Sequence, residues 1–96
     1  MKYFHRTQVS PDTVIARATA FFGARMSPTE EAPRRRRFTG ALGQVSISAQ
    51  PEGGHCTLVL AETNQAAESE ADRLAKRFLA VVHTLEEPSY VVRGSY

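Results

Sequence analysis

Apolar and polar positions alternate in two distinct rhythms along this chain. Over 66–87 the apolar positions Ala67, Ala71, Leu74, Ala75, Phe78, Leu79, Val82 and Leu85 recur by threes and fours. That period predicts one amphipathic helix, with Glu68, Asp72, Arg73, Lys76, Arg77 and His83 on its solvated face. Pro88 ends it, because proline cannot donate to the helical ladder and disfavours helical geometry in the residue before it. Over 44–50 the rhythm changes to strict alternation: Val45, Ile47 and Ala49 against Gln44, Ser46, Ser48 and Gln50. That predicts a strand with one dry face and one wet face, as in an antiparallel sheet covered on one side. Residues 51–54 (PEGG) predict a hairpin link, and 55–63 (HCTLVLAET) its partner strand. Cys56, Leu58 and Leu60 are expected to join Val45 and Ile47 under the helices, with Thr63 or Asn64 capping the long helix.

The remaining segments are shorter. Residues 2–9 (KYFHRTQV) are aromatic and β-branched enough for a strand, but neither Tyr3, His5, Thr7 and Val9 nor Phe4, Arg6 and Gln8 form a clean apolar side. Ser10-Pro11-Asp12 predicts a helix start, with a serine cap, a proline at the first position and an acid at the positive end of the helix dipole. Val14, Ile15, Ala18, Phe21 and Phe22 keep one face, and Gly23 predicts the end. Residues 26–33 (MSPTEEAP) read as a loop. A strand then begins in Arg34-Arg35-Arg36-Arg37 and turns near Gly40–Gly43.

The fold class expected is therefore α+β, an antiparallel sheet of about four strands with two helices packed on one face, in the order β-α-β-β-β-α. Residues 1–88 make the single domain and 89–96 a C-terminal tail. The expected core is Val14, Ile15, Ala18, Phe22, Phe38, Leu42, Val45, Ile47, Leu58, Leu60, Leu74, Phe78, Leu79 and Val82.

Composition supports an ordinary folded domain: 42% hydrophobic against 23% charged residues excludes a disordered chain. No run of eighteen apolar residues predicts a membrane span, and 1–12 lacks the apolar stretch of a signal peptide. One cysteine, Cys56, allows no intrachain disulfide and fits a reducing cytoplasm. Net charge is +2, unevenly placed: residues 1–50 carry eight basic and three acidic side chains, residues 51–96 four and seven. The halves therefore attract each other, or those of a second copy.

Candidate chemistry is sparse. His5, His55, Cys56 and His83 have no metal-ligand spacing, so no metal and no cofactor is expected. A Cys56–His5 or Cys56–His83 pair rests on residue identity alone, and no catalytic residues or enzyme activity are expected. Arg34, Arg35, Arg36 and Arg37 are the candidate anion or partner contact. In an extended strand they alternate between faces, and the bland reading is an edge strand protected by charge. The tail places Tyr90, Val91, Val92 and Tyr96 as a candidate interface, because it is apolar and β-prone.

A strand leading into Ser10-Pro11-Asp12, then GALGQVSISAQPEGGHCTLVLAET, then a long terminal helix resembles the helix-grip proteins. These are the START, polyketide-cyclase and pollen-allergen-like (SRPBCC-like) superfamily, and the chain looks close to its short bacterial members without an assigned role. The resemblance implies an apolar ligand held between the long helix and the sheet, with Phe22, Phe38, Ile47, Leu58 and Phe78 as its contacts. The function expected first is a non-catalytic accessory or protein-interaction module that self-associates or docks on a larger complex. A small apolar-ligand binder is the alternative, and weak nucleic-acid binding through the arginine run the third.

Overall fold

Ser10 starts the first helix as its sequence implies. Its backbone is extended, and its Oγ accepts the Thr13 N–H at 3.2 Å, satisfying one of the free donors of α1 (Pro11–Gly23). The computed structural model describes residues 1–54 and 56–86. Around α1 it places β1 (Lys2–Thr7), β2 (Ser27–Ala32), β3 (Arg35–Gly40), β4 (Gly43–Glu52), β5 (Cys56–Thr63) and α2 (Glu70–Glu86). The strands form one open sheet in the order β1-β5-β4-β3-β2, every neighbouring pair antiparallel.

The α+β class and the two helices agree with the sequence reading; the strand count does not. There are five strands, because residues 27–32, expected as a loop, form the edge strand β2. Prolines and glutamates lower its β propensity, but an edge strand tolerates proline because one row of its backbone groups needs no partner. Pairing supplies what propensity lacks: Glu30 lies opposite Arg37 and Glu31 opposite Arg36, with an irregularity between Pro28 and Glu30.

A second correction concerns β5. Val59 and Ala61 are fully buried and Thr57 and Thr63 nearly so, whereas Cys56 is exposed and Leu58 and Leu60 are half-buried. The hairpin decides this. Glu52 pairs with Cys56 across Gly53, Gly54 and residue 55, with Gly53 and Gly54 at φ 63° and 84°. That register sets Val45, Ile47 and Ala49 opposite Thr63, Ala61 and Val59. A shift of one residue would have turned the leucines inward, so loop length overrides side-chain size. The same ladder settles β1, whose Tyr3, His5 and Thr7 lie on the helix side while Phe4 points away.

The long helix begins at Glu70, later than expected. Asn64 Oδ1 accepts the Gln44 N–H at 2.9 Å and Thr63 Oγ1 accepts the Gln65 N–H at 3.1 Å, so neither caps it. Ser69 is the cap: its Oγ accepts the Asp72 N–H at 3.1 Å. Residues 64–69 are spent climbing from the sheet to the helix layer, with Glu68 at φ 68° and Ala67 exposed.

Both helices press on the same face. Phe22 stacks on Phe38 with ring centroids 5.2 Å apart and meets Phe78 at 5.3 Å, tying α1, β3 and α2 together. Of the expected core, Leu42 and Leu79 are only partly buried, and Leu58 and Leu60 lie outside it; Met26, Ala49, Val59, Ala61, Ala71 and Ala75 complete it. Gly43, at φ +118°, opens β4 against the 64–65 turn, where a Cβ would sit 2.7 Å from Gln65 Cγ and Nε2. Gly43→Ala is therefore expected to lose about 1–3 kcal/mol in urea unfolding. Gly23→Ala, where a Cβ meets nothing within 4 Å, should stay near the wild-type midpoint; equal midpoints for the two variants would contradict this packing.

Candidate functional site

Among the described residues β1 and β2 are the outer strands of the sheet, and they are built differently. β2 carries Pro28, a register irregularity and two glutamates, the devices by which an edge strand resists further pairing. β1 has no proline and no irregularity, and its charged Lys2 and Arg6 are turned to Glu62 and Glu52 of the neighbouring strands. Met1 and Thr63 exchange both backbone bonds, at 2.9 and 2.8 Å. By the alternation of an antiparallel ladder, Tyr3, His5 and Thr7 then bond to β5, while the N–H and C=O groups of Lys2, Phe4 and Arg6 point away from it. Among the described residues no strand lies beyond that edge. Phe4 is 60% exposed, a large apolar side chain left in water on this strand.

Beside the β1 edge runs an open groove of about 490 Å³, walled by Tyr3, Phe4 and His5 on one side and by Lys76, Leu79, Ala80 and His83 of α2 on the other. One end is fastened by a buried carboxylate. Asp72 is fully buried; its Oδ1 accepts the Tyr3 hydroxyl at 2.5 Å, and its Oδ2 accepts the Glu68 N–H at 2.9 Å and lies 3.3 Å from Lys76 Nζ. Burial by itself would raise the Asp72 carboxyl, but the bonds from Tyr3, the Glu68 N–H and Lys76 together hold it below the usual carboxylate range. The Tyr3 hydroxyl is pushed up by its bond to Asp72, then by burial and by the carboxylate charge; Lys76 is likewise raised by Asp72. At the other end the rings of His5 and His83 meet edge-on at 6.2 Å. His83, expected in solvent, is thus half-buried against β1.

The arginine run does not converge. Arg34 is exposed in the β2–β3 turn, and β3 is an interior strand, so charge there does not protect an edge. Arg35 and Arg37 lie on the open face, beside a shallow depression of about 180 Å³ shared with Gln44, Ser46, Glu62, Thr63 and Asn64. Arg36 lies on the helix side, where it donates to the Ala32 and Arg35 carbonyls and stands 3.9 Å from Glu31; Arg37 is 3.6 Å from Glu30. Two of the four are thus matched by β2 glutamates.

Of the apolar ligand contacts, Phe22, Phe38, Ile47 and Phe78 are fully buried in the core, and Leu58 is half-buried on the other face of the sheet. Cys56 is on the open face and His5 on the helix side, so they are not brought together. Tyr90, Val91, Val92, Tyr96 and the tail boundary at residue 88 lie outside the described residues, as does His55. Among the described residues no group of three or more His, Cys, Asp or Glu side chains could hold a metal ion, and no helix is long and apolar enough to cross a membrane. Sequence reasoning missed the groove, although Ser69-x-x-Asp72 has the spacing of a helix capping box.

The chain matches no protein-family model and no curated protein.

Proposed function

We propose that this protein is a non-catalytic protein-interaction module that accepts an extended segment of polypeptide as an added strand on β1. The observation that carries this reading is the contrast between its edges: β2 is built against pairing, whereas β1 offers the backbone groups of Lys2, Phe4 and Arg6 beside a groove. Strand addition draws affinity from main-chain hydrogen bonds and specificity from pockets for alternate side chains. The groove supplies such a pocket, with Leu79 and Ala80 for apolar contact and Tyr3, His5 and His83 as polar walls.

Peptide display on the immobilised full chain tests it. Extended sequences are expected to be enriched on the wild type and lost on Phe4→Pro. Because the Phe4 N–H faces away from β5, proline there removes the outward donor and spares the β1–β5 ladder. No enrichment, or equal binding by a folded Phe4→Pro variant, would sink the reading.

The helix-grip resemblance supports a second reading, a small apolar ligand between the long helix and the sheet. What favours it is the groove volume, which falls in the range of small-molecule sites. A non-peptide adduct in native mass spectrometry, retained by Phe4→Pro, would select it. Nucleic-acid binding is the weaker reading, because Glu30 and Glu31 offset part of the arginine charge.

A further inference from the structure

Ten residues follow Glu86, and from Pro88 they read PSYVVRGSY. Where α2 delivers the chain, and which side chains come next, point to one occupant for the β1 edge. The helix and the strand run in the same sense: Asp72 and Lys76 meet Tyr3, and two turns later His83 meets His5. The chain therefore leaves α2 towards the Thr7 end of β1. A reversal at Pro88 would send residues 89–96 back along β1 in the antiparallel sense, the sense in which every other pair of this sheet is joined. At about 3.3 Å per residue, those eight residues are long enough to cover the six of β1.

Their chemistry suits both sides of that edge. In an extended segment Tyr90 and Val92 share one face, Val91 and Arg93 the other. One face would enter the groove beside Leu79 and Ala80, and the other would cover Phe4, whose exposure otherwise has no structural reason. Aromatic and β-branched residues are those a strand favours.

We propose that residues 89–96 are the chain's own ligand for this edge, adding to β1 within the same molecule so that an outside peptide must displace them. This rests on the reading of β1 as an acceptor edge. A tethered strand acts at an effective concentration on the order of millimolar, so it excludes weak competitors and makes the module selective.

Amide hydrogen exchange by NMR on the full chain tests it, comparing the wild type with Val91→Pro/Val92→Pro over a dilution series. The Phe4 and Arg6 amides are expected to exchange about tenfold slower in the wild type, independently of dilution. The Tyr3 and His5 amides, which bond to β5, should match between the two proteins. Protection that fades on dilution assigns the segment to a second copy and overturns the intramolecular arrangement. Equal exchange of Phe4 and Arg6 in both proteins overturns occupancy by this segment altogether. In that case the acceptor reading is still judged on its own, by the displayed peptides and Phe4→Pro.

Discussion

Val59→Asp is expected to destabilise the protein severely at neutral pH, whereas Leu58→Asp costs it little. Val59 is fully buried, its backbone between Ala49 of β4 and His5 of β1. A carboxylate at that position would face the apolar core, with the half-buried His5 across the ladder and no lysine or arginine among the core residues. An uncompensated buried charge costs about 3–5 kcal/mol, a large part of the roughly 5–14 kcal/mol expected for a domain of this length. Leu58 lies on the open face, opposite Gln50 and Arg6. An aspartate there stays hydrated on the open face near Arg6, whose guanidinium already binds Glu52, and the loss is about 1 kcal/mol of half-buried apolar contact. Circular dichroism and urea unfolding of the two variants decide it. The reverse result would mean that the leucines, not Val59 and Ala61, face the helices.

That pair of substitutions marks the boundary between what could be read from the chain and what could not. Local signals were reliable. Ser10-Pro11 set the start of α1, strict alternation set β4, and the apolar spacing from Ala71 onward set the buried stripe of α2. Decisions made by pairing were not legible. Both faces of β5 offer apolar residues, and leucine outweighs valine and alanine in any hydrophobicity sum; the Gly53-Gly54 loop reversed the choice through register. β2 has the composition of a loop and becomes a strand through its backbone ladder with β3, where Glu30 and Glu31 also lie opposite arginines. The groove was hidden for a related reason. Tyr3 and Asp72 are 69 positions apart, and the helical period assigns Asp72 to the solvated face, whereas β1 closes over it and buries it fully.

The second large effect is expected at that junction. Three donors converge on Asp72: the Tyr3 hydroxyl, the Glu68 N–H and Lys76. In Asp72→Asn the amide presents one acceptor oxygen where the carboxylate presents two, and its NH2 group faces a donor. The substitution is therefore expected to lose about 2 kcal/mol at neutral pH, the range for hydrogen bonds to a charged group. The pH dependence carries the sign. Asp72 is held below its ordinary range in the folded state, so its contribution is full above that range and fades as the pH falls through the folded value. Tyr3 and Lys76 are held above theirs, so their contributions are present below about pH 10 and fade as the pH rises through the folded values. Wild-type stability should thus form a plateau that declines at both ends, and Asp72→Asn should lower the plateau and flatten the acid side. Urea midpoints across pH, with tyrosine absorbance to follow Tyr3, measure both. Tyr3→Phe should keep the acid-side slope through the Glu68 and Lys76 bonds while losing the raised tyrosine titration. The same bond fixes the spacing between β1 and α2, so a variant that loosens it also widens the groove in which an added strand would lie. If Asp72→Asn matches the wild type at neutral and acid pH alike, β1 is held by β5 alone and the groove has no fixed wall.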